Sequence, residues 1–89
     1  MPNNRFLIRN DRSEPLTLCV EPEGAFFPLG NGEEVAVTEE FKSLPVSVTI
    51  GDSDSGELIV SIWPGDGEMR VQKDGVDVFD LLARPRVSA

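Results

Sequence analysis

At 89 residues, with 16 acidic and eight basic side chains, the chain has a net charge of −8 and lacks the basic surface that binds nucleic acids or anionic membranes. Histidine is absent and there is one cysteine, which excludes Ser-His and Cys-His catalytic sites, an intrachain disulfide and Cys/His metal clusters. The acidic excess is shared evenly between residues 1–45 and 46–89, so neither half is basic. We therefore expect no nucleic-acid partner, no membrane partner and no cofactor.

The length predicts one domain over residues 1–89, with a flexible tail at residues 83–89. The N-terminus lacks the apolar run of a signal peptide, and no segment approaches the roughly 20 apolar residues of a membrane span. The absence of a disulfide framework suits a reducing compartment. The sequence thus predicts a cytoplasmic protein.

Turn residues divide the chain into about eight short strand candidates. Leu16, Leu18 and Val20 alternate with more polar residues, which is typical of a strand with one buried face. Val46, Val48 and Ile50 alternate in the same way and lie on one face, opposite Ser47 and Thr49. In chain order the predicted strands cover residues 5–9, 16–21, 25–29, 33–38, 46–50, 57–63, 69–73 and 76–80.

Two short turn sequences predict β-hairpins. Gly30-Asn31-Gly32 and Asp74-Gly75 contain residues that readily adopt the positive φ of tight primed turns. The segment 39–44 fits either one helical turn or a loop, and Pro45 ends any helix there. Short strands at roughly ten-residue spacing predict an all-β fold, a compact antiparallel β-sandwich of about eight strands.

A resemblance covers about a third of the chain, between Asn10 and Val37. Its carriers are Glu-Pro-Leu-Thr-Leu at residues 14–18, Val-Glu-Pro-Glu-Gly at 20–24 and Leu-Gly-Asn-Gly-Glu at 29–33. The pattern resembles a family of small uncharacterised bacterial β-sandwich domains, in which a Pro-Gly-Glu turn is usual where this chain has Asn-Gly-Glu. The resemblance implies a compact β-sandwich and implies no activity or catalytic residue.

Few residue patterns here point to catalysis. Cys19 lies between two apolar residues with no basic neighbour in sequence, so we expect a small buried hydrophobe and not a reactive thiol. Paired acidic residues lie in or beside predicted turns, so we expect them to be solvated, whereas a general acid needs an apolar pocket. The pairs are Glu33/Glu34, Glu39/Glu40, Asp66/Glu68 and Asp77/Asp80.

The acidic turn before residues 57–63 offers weak candidates for a metal site. Asp52, Asp54 and Glu57 are close in sequence, but the spacing of a calcium-binding EF-hand loop is not met. A solvated hairpin loop is the favoured interpretation, and a bridging divalent cation is the alternative.

Residues 57–63, Glu-Leu-Ile-Val-Ser-Ile-Trp, form the most apolar segment and contain the single tryptophan. β-Branched residues dominate it, which predicts a strand in the interior of a sheet. If its even-numbered residues face the core, Ile59 and Trp63 lie on the opposite face. The alternative is that sheet twist, neighbouring strands or the tail residues Leu81 and Leu82 cover that face.

We expect Ile59, Trp63, Leu81 and Leu82 to be interface or ligand-binding residues, because exposed apolar patches mark interaction sites. A chain of this length buries only about 60–65% of its unfolded surface, so covering a second apolar face would add stability. The sequence thus favours a non-catalytic interaction or structural module that forms a homodimer or binds a protein partner. The alternatives are a small-ligand or carbohydrate-binding β-sandwich and a divalent-cation-binding domain.

Overall fold

The computed structural model describes residues 3–83, which form eight strands and one short helix. Turn residues bound each strand and keep it short. The elements are β1 (Asn3–Arg9), β2 (Leu16–Val20), β3 (Ala25–Leu29), β4 (Glu34–Glu40), β5 (Ser47–Asp52), β6 (Leu58–Trp63), β7 (Glu68–Lys73), β8 (Val76–Asp77) and α1 (Val78–Ala83).

The first sheet has the strand order β1-β4-β7-β8 and is antiparallel throughout. Val37 of β4 lies opposite Phe6 of β1 on one side and Val71 of β7 on the other, so their side chains share one face. Asp74 and Gly75 join β7 to β8 with φ values of 52° and 80°. The predicted hairpin at this dipeptide is confirmed.

The second sheet has the order β3-β2-β6-β5, which places β6 in its interior, as predicted for residues 57–63. β2 and β6 are parallel, with Leu18 opposite Val60, whereas the sequence pattern predicts antiparallel pairing throughout. Parallel neighbours require a long connection, and the three strands between β2 and β6 in the chain provide it.

One cluster of buried side chains draws on both sheets and forms the core. Leu18 and Ile62 of the second sheet and Val35 and Val37 of the first are all 0% exposed. Each such side chain contributes about 1.5–3 kcal/mol by leaving water. The prediction of an all-β fold of about eight short strands is confirmed. The other buried members are Leu16, Val20, Phe27, Leu29, Val60, Val71 and Val78.

The turn at Gly30-Asn31-Gly32 is tight but does not form the predicted hairpin. Gly32 has a φ of 78°, and the Glu33 N–H donates to the Gly30 carbonyl at 3.1 Å. The flanking strands β3 and β4 belong to different sheets, so the turn carries the chain across the core. The hairpin prediction was wrong because turn residues specify local backbone conformation and not the partner of each strand.

Asn10 is buried and holds this crossing in place. Its Nδ2 donates to the carbonyls of Leu29 at 2.8 Å and Glu14 at 2.9 Å, and its Oδ1 accepts the Arg12 N–H at 2.9 Å. Its backbone N–H donates to the Glu33 carbonyl at 2.9 Å. The amide therefore ties the β1–β2 loop to the β3–β4 turn, and its burial costs little because each polar atom is bonded.

β5 alternates as predicted, but its apolar side chains are exposed. Val48 lies opposite Ile62 and Ile50 lies opposite Val60, so both share the core-facing side of the sheet, as expected. However, Val48 is 41% exposed and Ile50 is 70% exposed, and only the preceding Val46 is partly buried. Val48 and Ile50 do not belong to the buried core, because β5 is an edge strand that is exposed along its whole length.

The chain turns into a helix where the sequence predicts a continuing strand. β8 ends at Asp77, whose Oδ1 accepts the Phe79 N–H at 2.8 Å, the bond of a helix N-cap. Val78 is buried and Leu81 packs against the core, a spacing that suits one face of a helix. The predicted strand over residues 78–80 is therefore wrong.

Ala83, which the sequence places in a flexible tail, is the last residue of α1. The other residues of that predicted tail, 84–89, lie outside the described residues. Within residues 3–83, no helix combines the length and apolar character needed to cross a membrane.

Candidate interaction surface

The outer face of the second sheet carries no charged side chain on any of its four strands. We call it the neutral face. Strand register places Ser61 of β6 between Cys19 of β2 and Thr49 of β5 at its centre. The absence of charge on this face contrasts with the net charge of −8 on the chain as a whole. Its members are Thr17, Cys19, Phe26, Pro28, Ser47, Thr49, Gly51, Ile59, Ser61 and Trp63.

Ile59 and Trp63 both lie on the neutral face. Trp63 is 42% exposed at the end of β6, and Ile59 is half-buried in the middle of the sheet. Phe26, on edge strand β3, is 59% exposed on the same side. These three residues contribute apolar surface to the neutral face, and Ser47, directly opposite Trp63, adds a hydroxyl.

Cys19 is buried, as the sequence predicts, even though it belongs to the outer face. Its Sγ donates to Glu21 Oε1 at 3.1 Å, so one carboxylate borders the neutral face beyond the end of β2. Burial, with a smaller contribution from the Glu21 carboxylate, raises the pKa of the Cys19 thiol to about 11. The thiolate is therefore disfavoured at neutral pH, and this cysteine is a poor nucleophile.

The outer face of the first sheet has the opposite character. A cleft of about 490 Å³ on that side is lined by Arg5 and Arg70 together with the acids Glu40 and Glu68. Arg70 Nη2 lies 3.7 Å from Glu68 Oε1, so part of the positive charge is compensated within the cleft. The cleft therefore carries side chains of both signs.

The structure separates Leu81 and Leu82 from the other predicted interface residues. Both belong to α1, which packs against β3, β7 and β8. Leu81 packs against the core, whereas Leu82 is 44% exposed. Leu81 therefore helps to close the core and does not lie with Ile59 and Trp63 on the outer face.

The structure does not gather the weak metal candidates into a site. Asp52, Asp54 and Glu57 lie around the β5–β6 turn, where the Ser53 N–H donates to the Glu57 carbonyl at 2.9 Å. Within residues 3–83, no group of three acidic, cysteine or histidine side chains is placed to hold a metal ion. The Ser53 hydroxyl also accepts the Glu57 N–H at 3.1 Å, which explains the acidic segment as a hairpin loop.

Glu39 is an exception to the expectation that the paired acids are solvated. β4 extends to Glu40, so Glu39 continues the core-facing alternation of Val35 and Val37 and is only 5% exposed. Its carboxylate accepts hydrogen bonds from Asn4 Nδ2 at 3.0 Å and from the backbone N–H of Val46. It therefore joins β1 and β4 to the segment that enters β5.

Asp66 organises the loop between β4 and β5. Its carboxylate accepts the N–H groups of Lys42, Ser43 and Leu44 at 2.8, 2.9 and 3.1 Å. These bonds, with that of Lys42 first, lower the pKa of Asp66 to about 2. Its own N–H donates to the Leu44 carbonyl at 2.9 Å, so two loops are bonded in both directions. The low pKa of Asp66 thus has a structural cause.

Comparisons with known proteins add no assignment. No family model, curated protein or solved structure matches this chain. The family resemblance drawn from residues 10–37 stays a prediction.

The sequence reasoning missed three exposed apolar residues of the second sheet: Phe26, Val48 and Ile50. A signal existed for Phe26, because Phe26 and Phe27 are adjacent in a strand and must point to opposite faces. No local signal existed for Val48 and Ile50, because their alternation is the same as that of a covered strand. Their exposure depends on the position of β5 at the edge of the sheet.

Proposed function

We propose that this protein is a non-catalytic interaction module that self-associates through its second sheet. The observation that carries the proposal is the neutral face, an uncharged surface containing Ile59 and Trp63 on a chain of net charge −8. Phe26 and the exposed β5 residues Val48 and Ile50 extend the apolar surface of the same sheet. Clustered exposed apolar groups are a mark of protein interfaces.

A second copy of the chain suits this sheet better than a charged partner. Two acidic copies repel each other over most of their surfaces, and like charges brought together across an interface reduce affinity. Contact through the second sheet brings uncharged side chains together and keeps the carboxylates at the rim. The absence of histidine and the raised pKa of Cys19 support a role without catalysis.

Sedimentation velocity and light scattering across micromolar concentrations test this proposal. We expect the mass to rise from 9.7 kDa towards twice that value with increasing concentration. A mass that stays at 9.7 kDa throughout would refute self-association. The control is Leu7→Lys, which changes an exposed apolar residue on the outer face of the first sheet and should leave the association unchanged.

A second candidate function, carbohydrate binding, is favoured by the surroundings of Trp63. The ring is 42% exposed, and the hydroxyl residue Ser47 lies directly opposite it. A sugar ring can stack on an indole while hydroxyls bond its edge. A panel of mono- and oligosaccharides should then shift Trp63 emission to the blue, and an unchanged emission maximum would count against this function.

A further inference from the structure

β5 is the least protected of the four sheet edges in the described chain. Native edge strands are blocked by charges, proline or shortness. β1 carries Arg5 and Arg9, β3 carries Pro28, and β8 has only two residues. β5 has six exposed residues, Ser-Val-Thr-Ile-Gly-Asp, with no basic residue and no proline.

The free hydrogen-bonding groups of β5 can be assigned from its register. The Ser53 N–H donates to the Glu57 carbonyl, which makes this a hydrogen-bonded pair in the register that continues into β5 and β6. Hydrogen-bonded and non-bonded pairs alternate along antiparallel strands. Thr49 therefore directs its N–H and carbonyl to β6, whereas Val48 and Ile50 direct theirs to the open edge.

We propose that two copies pair antiparallel along β5, about a twofold axis at Thr49, to form one eight-stranded sheet. This inference rests on the proposed self-association through the second sheet and assigns the contact to the free edge of that sheet. Val48 of each copy then lies opposite Ile50 of the other, and both residues exchange backbone hydrogen bonds. The pair is isologous, as a twofold dimer requires.

The exposed side chains favour this register. Val48 and Ile50 are 41% and 70% exposed on the core-facing side, and pairing about Thr49 sets each against its counterpart in the second copy. A shift by one residue would place Thr49 of one copy opposite Val48 or Ile50 of the other. The N–H and carbonyl of Thr49 already bond β6, so backbone hydrogen bonds between the two copies could not form in that register. A two-residue shift that pairs Ile50 with itself would place Val48 against Asp52.

Charge decides the direction of pairing. Asp52 is the charged residue of β5 and lies at its end. In the antiparallel arrangement the two Asp52 carboxylates lie at opposite ends of the interface. In a parallel arrangement they would lie side by side, which is destabilising. A second copy is therefore a well-matched occupant of this edge.

A disulfide trap tests the register. In a Cys19→Ala background, Thr49→Cys places the two new thiols at a non-hydrogen-bonded pair, where Cα atoms lie about 4.5 Å apart and a disulfide fits. The matched control is Ser47→Cys, on the same strand and face, whose two copies would lie about 14 Å apart. With oxidised glutathione, we expect a covalent dimer for Thr49→Cys and little for Ser47→Cys.

Charge insertion provides an independent test. Ile50→Lys should weaken dimerisation by about tenfold or more, because it brings ammonium groups into the pairing edge. Leu7→Lys, on an edge strand of the first sheet, should leave the dimer intact. Since Ile50 is 70% exposed, the variant should fold, which circular dichroism checks.

The outcomes separate this inference from the proposed function. A dimer that withstands Ile50→Lys and is lost in Ile59→Lys would associate through the neutral face, which overturns the edge pairing and keeps the self-association. Equal cross-linking of Thr49→Cys and Ser47→Cys would also overturn the register. A wild-type chain that is monomeric at every concentration would remove the proposed function itself.

Discussion

Asp66 shows how one side chain can determine the conformation of a loop. Its carboxylate collects three backbone N–H groups from residues 42–44, donors that face solvent if the carboxylate is removed. A charged acceptor forms stronger bonds than a neutral one. The loop that leads from the first sheet into β5 thus depends on an ionised aspartate.

We predict that Asp66→Asn lowers the melting temperature at neutral pH by a few degrees. Because the folded-state pKa of Asp66 is lowered from 3.8 to about 2, the stabilisation is complete above pH 3.8 and is lost as the pH falls to about 2. The melting temperatures of the variant and the wild type should therefore converge over this interval, as followed by circular dichroism.

The matched control is Asp54→Asn, an exposed aspartate in the β5–β6 loop. It removes the same charge, without removing an acceptor of three backbone N–H groups. A difference between Asp66→Asn and wild type that stays constant from neutral pH to pH 2 would contradict the assigned role.

The burial of individual residues was predicted correctly from the sequence for Cys19 but not for Glu39. Cys19 is buried as expected for a small apolar side chain, but on the face opposite Leu18 and Val20, so its sequence neighbours do not cover it. The burial of Glu39 cannot be predicted from its sequence neighbours. The hydrogen-bond donors that satisfy its carboxylate come from Asn4 and Val46, which only the fold brings close to it. A charge can be buried where nonlocal donors satisfy it, and these donors cannot be read from neighbouring residues.

At the scale of elements, two glycines allow the loop before β7 to approach the backbone at and just after the end of β4 closely. A methyl group on Gly65 would lie 1.7 Å from the Leu44 carbonyl oxygen, and one on Gly67 would lie 1.6 Å from that of Glu40. Neither contact can be relieved without moving the backbone. These positions need glycine because of close approach.

We predict that Gly65→Ala destabilises the fold by about 1–3 kcal/mol, the usual cost of overpacking. The control, Gly51→Ala, places its methyl in open space on exposed β5 and should change stability by less than about 0.5 kcal/mol. Urea unfolding at low protein concentration measures both. Equal stabilities of the two variants would contradict the close contact.

Element boundaries were predictable where the signal was local. The Asp74-Gly75 hairpin and the alternation of β2 follow directly from residue type. Helix α1 was missed, although Asp77 as N-cap and the spacing of Val78 and Leu81 predict a helical turn. The β-branched residues at 76 and 78 favoured a strand, and packing against β3 and β7 decided for the helix.

At the scale of the whole molecule, net charge opposes the self-association that we propose for the second sheet. A net charge of −8 on each copy produces repulsion that acts through solvent between exposed carboxylates. Uncharged contact at the second sheet is not weakened by salt. The balance between these two terms therefore depends on ionic strength.

We predict that raising the salt concentration strengthens dimerisation by several-fold. Screening shortens the range of repulsion from about 10 Å at 0.1 M to about 3 Å at 1 M. Sedimentation velocity at the two concentrations measures the dimer fraction. A dimer that weakens in salt would instead depend on ion pairs, contrary to the uncharged contact proposed here.

The sequence by itself determined that this is an acidic, all-β chain with about eight short strands and an apolar central one. Charge, turn chemistry and alternation specify these features because they act between residues close in the chain. Tertiary structure decided the parallel pairing of β2 with β6, the crossing at Gly30–Gly32 and the exposure of Val48 and Ile50. Each depends on which strands meet across the core, and the free edge of β5 exists only because no strand of residues 3–83 occupies it.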